Sequence, residues 1–309
     1  MNANKTQQSL DVQKHLIKKA TTIDEQFQIL KSRGLTIKNE EQAKDFFKNV
    51  SYYRLSGYCR QFYKPNQYER FSEGTDFTII LNLYAFDTKL RLILFELIQE
   101  IEISFKARLG NEIACKFGEM VWKEDAIFND KKFKDLKTNE ETSYYHRLQE
   151  ELKRKLNRAK REPFIKHHIK QYNEQFPIWV LMEIIDFSDA SKIFKNLKTS
   201  IKKDIKRGHY TSVSHQQLEG WLEQFVKCRN ICAHHGRIVG KENFKLQKHT
   251  EIERHKADGF FALLIGIKLI LNTEVIWESF LDDLESLIKT YNVDLKMLAL
   301  PENWKLILK

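Results

Sequence analysis

One stretch of the sequence combines the side-chain types that phosphodiester chemistry requires. It runs from Arg229 to Arg237 and places two arginines and two adjacent histidines, His234 and His235, within nine residues. Arginine stays charged, and its planar set of donors matches a phosphate. Histidine accepts and releases a proton near neutral pH. A cation beside a proton-transfer group is equipped to cleave a phosphodiester, with or without a metal ion.

A helix is predicted to position this stretch. Ser214 and Gln217 form a capping box at its start, and Gly236 is predicted to be the C′ residue that stops it. The apolar residues between them recur at helical spacing, on a stripe that consists of Leu218, Leu222 and Phe225. Arg229 continues this stripe. Because an isolated buried charge is very costly, Arg229 must be paired or face a cleft.

Helix geometry separates Arg229 from both histidines. At roughly 100° per residue, His234 lies about 140° around the helix from Arg229, and His235 lies about 120° away on the other side. The groups converge only if the last turn opens or if a second copy of the helix packs alongside. The second arrangement predicts a homodimer.

The composition favours a helix-rich protein with an anionic partner. The chain has 309 residues, only 4 Pro and 11 Gly, and a formal net charge of +10. A merely basic soluble protein remains an alternative reading of that charge. The four cysteines show no disulfide framework, the N-terminus lacks the apolar core of a signal peptide, and the longest apolar run is far too short for a bilayer. We therefore predict a cytoplasmic protein with no membrane partner.

Several cationic groups are candidate contacts to RNA. Residues 147–161 form a basic helix, and residues 131–170 hold 13 Lys and Arg against 6 Asp and Glu. Residues 191–207 form a second basic surface. The candidate RNA-binding residues are Arg54, Tyr58, Arg60, Lys153, Arg154, Lys155, Arg158, Arg161, Lys202, Lys203 and Arg237. The alternatives are a solvated charged face and, for the tyrosines near Arg54, packing as an amphipathic wall.

Two groups of residues superficially suggest a metal site. Cys228, Cys232 and His235 share a helix face, but no fourth ligand follows at a typical spacing, so buried structural cysteines are favoured. His167 and His168 are adjacent in sequence and therefore do not share a helix face. We predict no metal and no cofactor.

A long helix is predicted from Leu81 towards Ala114. Within it, Asp87 and Arg91 have i, i+4 spacing, which favours a structural ion pair. Glu102 sits in an apolar stretch, where it is expected to partner a buried arginine that the sequence does not identify. Shorter helices are predicted for residues 12–20, 24–32, 256–272 and 274–290, after a polar tail at residues 1–11.

The stretch at Arg229 also resembles a known motif. Arg-Asn-x-Cys-Ala-His-His is similar to the Arg-x4–6-His motif of HEPN-type ribonucleases, in the form found in the Abi-like (AbiD/AbiF) abortive-infection family. Further family-like elements, which extend the resemblance over roughly residues 25–305, are Tyr53–Tyr58, Leu83–Asp87, Leu90-Arg91, Ile101–Ile103, Trp179-x3-Glu183 and Pro301-x-x-Trp304. After Arg237, this chain has Ile238-Val239-Gly240 where the family usually places Trp or Phe and Asn, so no role of that Asn is carried over.

The resemblance implies an all-α fold, with a HEPN-like helical bundle and an additional N-terminal helical lobe. The expected division is an N-terminal lobe over residues 1–117, an irregular connection over residues 118–146, and a HEPN-like domain over residues 147–309. Each of these bounds is an expectation that the fold can test.

The implied function is a metal-independent endoribonuclease of bacterial phage defence that cleaves RNA by attack of the 2′-OH. His234 or His235 acts as general base or acid, Arg229 stabilises charge on the phosphate, and Asn230 positions a neighbouring group. Glu183 orients a histidine or pairs with the arginine. A second implied class is a ribonucleoprotein in which a cognate small structured non-coding RNA holds the nuclease silent. A helical interaction protein without RNA is the third class.

Overall fold

The fold is all-α, as the sequence predicts. The computed structural model describes residues 19–67, 69–129, 131–134, 139–241 and 244–309. In this part of the chain, 67% of the residues are helical, in fourteen α-helices and three short 3-10 helices, and a single small sheet has two strands. The polar tail predicted for residues 1–11 lies outside the described residues, and so does nearly all of the helix predicted for residues 12–20.

The chain divides into two compact units between Ile80 and Leu81. The first unit contains α1 (Ile23–Ser32), α2 (Glu40–Asn49), α3 (Tyr52–Cys59) and the first turn of α4 (Phe77–Phe117). The sequence placed the end of the N-terminal lobe at residue 117, where α4 ends. The contacts divide the chain earlier because nearly all of the 41-residue helix belongs to the second unit.

Aromatic packing and capped helix ends build the first unit. The Phe27 and Phe47 rings meet edge to face at 5.3 Å, and Phe47 stacks on Phe77 at 5.8 Å. The Asn39 side chain accepts a hydrogen bond from the Gln42 amide at 3.0 Å, which is the first half of a capping box at the start of α2. The capping bond is local in sequence, so it defines the start of α2 without a long-range contact.

Ten further helices follow α4 in the described part of the second unit. Their bounds are α5 (Tyr144–Ala159), α6 (Pro163–Gln171), α7 (Ile178–Ile184), α8 (Phe187–Asn196), α9 (Thr199–His209), α10 (His215–Ala233), α11 (Thr250–Arg254), α12 (Gly259–Ile270), α13 (Glu274–Tyr291) and α14 (Trp304–Leu308). The helices predicted for residues 256–272 and 274–290 are confirmed to within a few residues.

The segment predicted as an irregular connection contains a short hairpin. β1 (Lys132–Lys134) pairs antiparallel with β2 (Glu141–Ser143). The helix after it begins at Tyr144 rather than at residue 147, because the Ser143 side chain caps it by accepting from the His146 amide at 3.4 Å. Three-residue strands carry too little alternation to be recognised as strands in a sequence.

Helix α10 lies at the centre of the second unit, where it packs against α8, α9 and α12. Its buried residues are Leu218, Trp221, Leu222, Phe225, Cys228 and Cys232, so the predicted apolar stripe is confirmed. Helix α12 is buried over almost its whole length. Gly266 of α12 permits the close packing, because a Cβ there would lie 3.5 Å from the Trp221 ring and would overlap Leu246.

Candidate functional site

The motif segment (residues 229–237) forms the end of α10 and the turn after it. The His235 backbone takes the left-handed conformation, with φ of 56°. The His235 amide donates to the Cys232 carbonyl at 3.2 Å, and the Gly236 amide donates to the Ile231 carbonyl at 2.7 Å. This pair of bonds is a Schellman motif, which satisfies the last carbonyl groups of the helix.

The C′ residue of α10 is therefore His235, not Gly236 as the sequence predicted. A Cβ at Gly236 would lie 3.1 Å from the Ile231 Cγ2 and 3.3 Å from the Ile231 carbonyl oxygen. The glycine is required for this close approach, while His235 adopts the left-handed conformation at a cost of about 1 to 2 kcal/mol. Backbone strain of this kind clusters at functional positions.

Arg229 is paired, as its place on the apolar stripe requires. Its Nε lies 3.5 Å from the Glu102 Oε2, and its guanidinium carbon lies 5.7 Å from the centre of the Phe95 ring. Both partners belong to α4. Glu102 is thus confirmed as the partner of an arginine, and the structure identifies that arginine as the half-buried Arg229. Nothing in the sequence distinguished Phe95 from the other apolar residues of the helix.

The outer end of the Arg229 side chain faces the surface. The side chain is 35% exposed, and Nε is its only enclosed nitrogen without a hydrogen bond. Within the described residues, the terminal nitrogens form no hydrogen bond. The Glu102 carboxylate therefore holds the inner edge of the guanidinium, and the outer edge can meet an anion.

Both histidines and Asn230 are exposed at the same helix end. His234 stays near the helical path, with φ of −98° and ψ of 18°, and its amide donates to the Asn230 carbonyl at 3.0 Å. His235 leaves that path. Among the described contacts, neither imidazole bonds to Arg229, so one chain gathers the three groups without joining them.

A buried ion pair fixes the segment that follows the histidines. Asp87 of α4 is fully buried, and its Oδ1 accepts from the Ile238 and Val239 amides at 3.0 Å each. Its Oδ2 pairs with Arg91, which also donates to the Gly236 carbonyl at 3.3 Å. The predicted structural pair is confirmed, and it reaches across the fold to hold the turn after the motif.

Glu183 is not the partner of Arg229. It is exposed on α7, and among the described contacts no ion pair or hydrogen bond joins the two residues. The neighbouring Met182 points inward instead, against Gly110 of α4. One of the two roles predicted for Glu183 is therefore filled by Glu102, and the orientation of a histidine remains a proposal.

The two cysteines of α10 are buried core residues. Hydrogen bonding with Cys232 and burial raise the pKa of the Cys228 thiol well above its usual value. A metal ligand would have to be a thiolate, which this setting disfavours. Among the described residues, no three His, Cys, Asp or Glu side chains come together as potential metal ligands.

Two lysines predicted to contact RNA are bound inside the protein. Lys155 is only 10% exposed and pairs with Asp186 and Asp189 at 2.6 and 2.9 Å. Burial opposes its charge, but the bonds to both carboxylates outweigh this and raise the pKa of Lys155. Lys202 is buried and pairs with Glu219 at 2.8 Å. Both belong to the structure rather than to a basic surface.

Tyr58 cannot stack on a base, because it is only 1% exposed in the core of the first unit. Packing, the alternative interpretation, accounts for it. Arg54 is half-buried and has a partner within the chain, as does Arg237. The remaining candidates are exposed; they are Arg60, Lys153, Arg154, Arg158, Arg161 and Lys203.

The fold and the site together define an all-α protein with an arginine and two histidines at one exposed helix end. A family model described as "Abi-like protein" matches residues 45–239, which includes the motif segment. The chain belongs to the Abi-like family, and this membership points to a role in abortive infection. Neither curated proteins nor solved structures provide a match. No helix in the described residues is both long and apolar enough to cross a membrane.

We expect Asp87→Ala to lower the free energy of unfolding by about 3 to 5 kcal/mol. The variant leaves the Arg91 charge and the amides of Ile238 and Val239 buried without their acceptor. Urea denaturation measures the loss. The matched control is Lys289→Ala, which breaks an exposed i, i+4 pair with a separation of 3.1 Å and should cost less than about 0.5 kcal/mol. Equally small losses in both variants would contradict the clamp.

We expect His235→Gly to be more stable than His235→Ala by about 1 kcal/mol, because only glycine takes a positive φ without strain. Urea denaturation of both variants provides the comparison. At His234, where φ is −98°, the order should be absent or reversed. If His235→Ala matched His235→Gly in stability, the left-handed conformation assigned to His235 would be contradicted.

Proposed function

We propose that this chain is a metal-independent endoribonuclease of phage defence by abortive infection. The observation that carries the proposal is the held guanidinium of Arg229, with its outer edge at the surface and two exposed imidazoles at the same helix end. Family membership supports the biological role. The resemblance of Arg229 to His235 to the HEPN-type motif supports the chemistry.

The proposed reaction uses the RNA 2′-OH as the nucleophile. A histidine, His234 in the first instance, removes the 2′-OH proton as that oxygen forms a bond to phosphorus. The bond from phosphorus to the 5′ oxygen breaks, and that oxygen takes a proton from a general acid. The products are a 2′,3′-cyclic phosphate and a 5′-OH, so DNA is not cleaved.

Arg229 stabilises the charge that builds on the phosphate oxygens. The Glu102 carboxylate and the Phe95 ring hold its inner edge, so the outer donors are oriented before substrate arrives. Asn230 positions a neighbouring group from the same exposed helix turn. Glu183 remains the candidate that orients a histidine.

A homodimer supplies the missing convergence in this proposal. Within one chain Arg229 and His234 are not joined, so we place the histidine of one copy opposite the arginine of the other. Helix α4 offers a surface for the contact, because Leu92 and Ile103 are 61% and 55% exposed. They lie on one face of the helix, about 20° apart, and adjoin the turns that hold Arg229.

Arg229→Ala and His234→Ala should each lower the rate of RNA cleavage by roughly 10² to 10⁴, without loss of folding. Labelled RNA incubated with excess EDTA should be cut as fast as without it. Arg254→Ala is the matched control, because Arg254 is exposed and paired with Glu251 at 2.9 Å, and it should retain activity. A requirement for a divalent ion rejects this mechanism.

Two comparisons refine that experiment. His235→Ala shows which histidine is catalytic, and full activity in both single histidine variants would end the assignment. Mixing the inactive Arg229→Ala and His234→Ala chains should restore part of the activity if the site forms between two copies. No recovery on mixing would place the whole site in one chain.

A second candidate function is a ribonucleoprotein in which a small structured RNA keeps the nuclease silent. Exposed cations on α5 that have no ion pair within the described residues favour it, as do the contacts that already occupy one edge of Arg229. RNA extracted from the purified protein and sequenced should then be one discrete species at fixed stoichiometry. Protein free of nucleic acid that degrades bulk RNA would favour the first function.

A further inference from the structure

The densest unpaired positive charge of the second unit lies on helices α5 and α6. Residues 153–172 contain eight Lys and Arg side chains and one acidic residue, Glu162, a local excess of seven positive charges. Within the described residues, Arg154 and Lys155 are the two of these eight that take part in ion pairs. The other six are exposed and have no ion pair in the described part of the chain; they are Lys153, Arg158, Lys160, Arg161, Lys166 and Lys170.

Next to these cations stands a short stack of rings with one open end. Tyr172 and His168 lie 5.1 Å apart with 34° between their planes, and His168 and Phe176 lie 6.1 Å apart with 33° between theirs. Phe176 is only 8% exposed and closes the inner end. Tyr172 also meets the His167 ring edge to face at 5.4 Å, and it is still 54% exposed, so the uncovered part of its ring is available to one more flat ring.

Local hydrogen bonds position the rings of this stack. The His168 Nδ1 lies 2.9 Å from the Phe164 carbonyl oxygen, and because a carbonyl only accepts, Nδ1 carries the hydrogen. The Tyr172 amide donates to the His168 carbonyl at 3.1 Å. Asn173 and Glu174 follow with φ of 49° and 58°, two successive left-handed residues of the kind that functional sites tolerate.

A groove lies between the inner end of the stack, at Phe176, and the cations Lys153 and Lys160; Tyr172 stands outside its lining. It has a volume of about 230 Å³, and Phe176 and Ile165 contribute to its apolar floor. Lys153, Asn157 and Lys160 lie along it and provide donors for phosphate or sugar oxygens. The Glu174 carboxylate also lines the groove and only accepts hydrogen bonds.

We propose that the surface of α5 and α6 binds a single-stranded segment of RNA, with one unpaired base stacked on Tyr172 and the backbone along the unpaired cations. Stacking on an exposed ring beside a basic surface is how proteins hold single strands, whereas a duplex keeps its base faces covered. The proposal rests on the proposed function in taking the polyanion to be RNA. It adds a substrate class that the motif segment does not specify.

Fluorescence anisotropy with two probes tests this site. One probe is an unstructured RNA of about 12 nucleotides and the other is a blunt RNA duplex of about 12 base pairs, both in EDTA and on an Arg229→Ala background so that nothing is cut. Tyr172→Ala should weaken single-strand binding roughly 5- to 100-fold, and Tyr172→Phe should leave it within about twofold. Tyr53→Ala, at a ring that is 88% exposed in the first unit, should change nothing.

Charge and stacking separate in the same assay. Lys160→Ala should weaken the binding of both probes. It should also reduce the slope of log K against log salt concentration by about one unit. Tyr172→Ala should leave duplex binding unchanged. If single-strand binding survives Tyr172→Ala, or if both probes lose affinity equally, the stacking site is wrong. Vesicles of phosphatidylglycerol and phosphatidylcholine are added as competitors. If they displace both RNA probes equally well, the proposal is overturned in favour of a lipid surface.

The outcome is independent of catalysis. Tyr172-dependent binding in a wild-type chain that never cuts RNA keeps this site and rejects the ribonuclease. Cleavage by the wild type with no effect of Tyr172→Ala on binding or on rate keeps the ribonuclease and rejects this site.

Discussion

The buried carboxylate of Asp87 holds the chain next to the motif segment. One of its oxygens accepts from two successive backbone amides, and the other pairs with Arg91, which also donates to the Gly236 carbonyl. A buried charged network stabilises only when every member has its partner, so removing any one of them is felt by all. About 12 and 22 Å further along α4, Phe95 and Glu102 hold Arg229. A single long helix thus fixes both the arginine and the turn behind the histidines.

The end of α10 shows a division of tasks between neighbouring residues. Helix termination usually gives the left-handed position to glycine, which adopts it without strain. Here the glycine stands one position later, where a Cβ would crowd Ile231 at 3.1 to 3.4 Å. His235 therefore takes the left-handed conformation, and its strained backbone carries the imidazole ring out of the helical path. The same constraint explains why rules for helix ends placed the stop one residue too late.

Local rules predicted much of the fold, and the missed partners of charged side chains have a common cause. The helices, the stripe of α10 and the Asp87–Arg91 pair follow from spacing along one element. Glu102 was recognised as needing an arginine, but its partner lies 127 positions away in sequence, and no periodicity reports that distance. Lys155 and Lys202 have the sequence pattern of surface cations. They turn inward because they form ion pairs with carboxylates elsewhere in the fold.

Much of the net positive charge is concentrated in one segment of the chain. The chain carries a formal charge of +10, and residues 153–172 alone contribute an excess of seven. A charge that served only solubility would gain nothing from crowding, since like charges on two adjoining helices repel. Lys155 and Lys202 show that this fold pairs a lysine where the structure needs one. This contrast is the reason why we propose that the unpaired cations beside Tyr172 bind a polyanion from outside the chain, with one of its bases on the exposed ring.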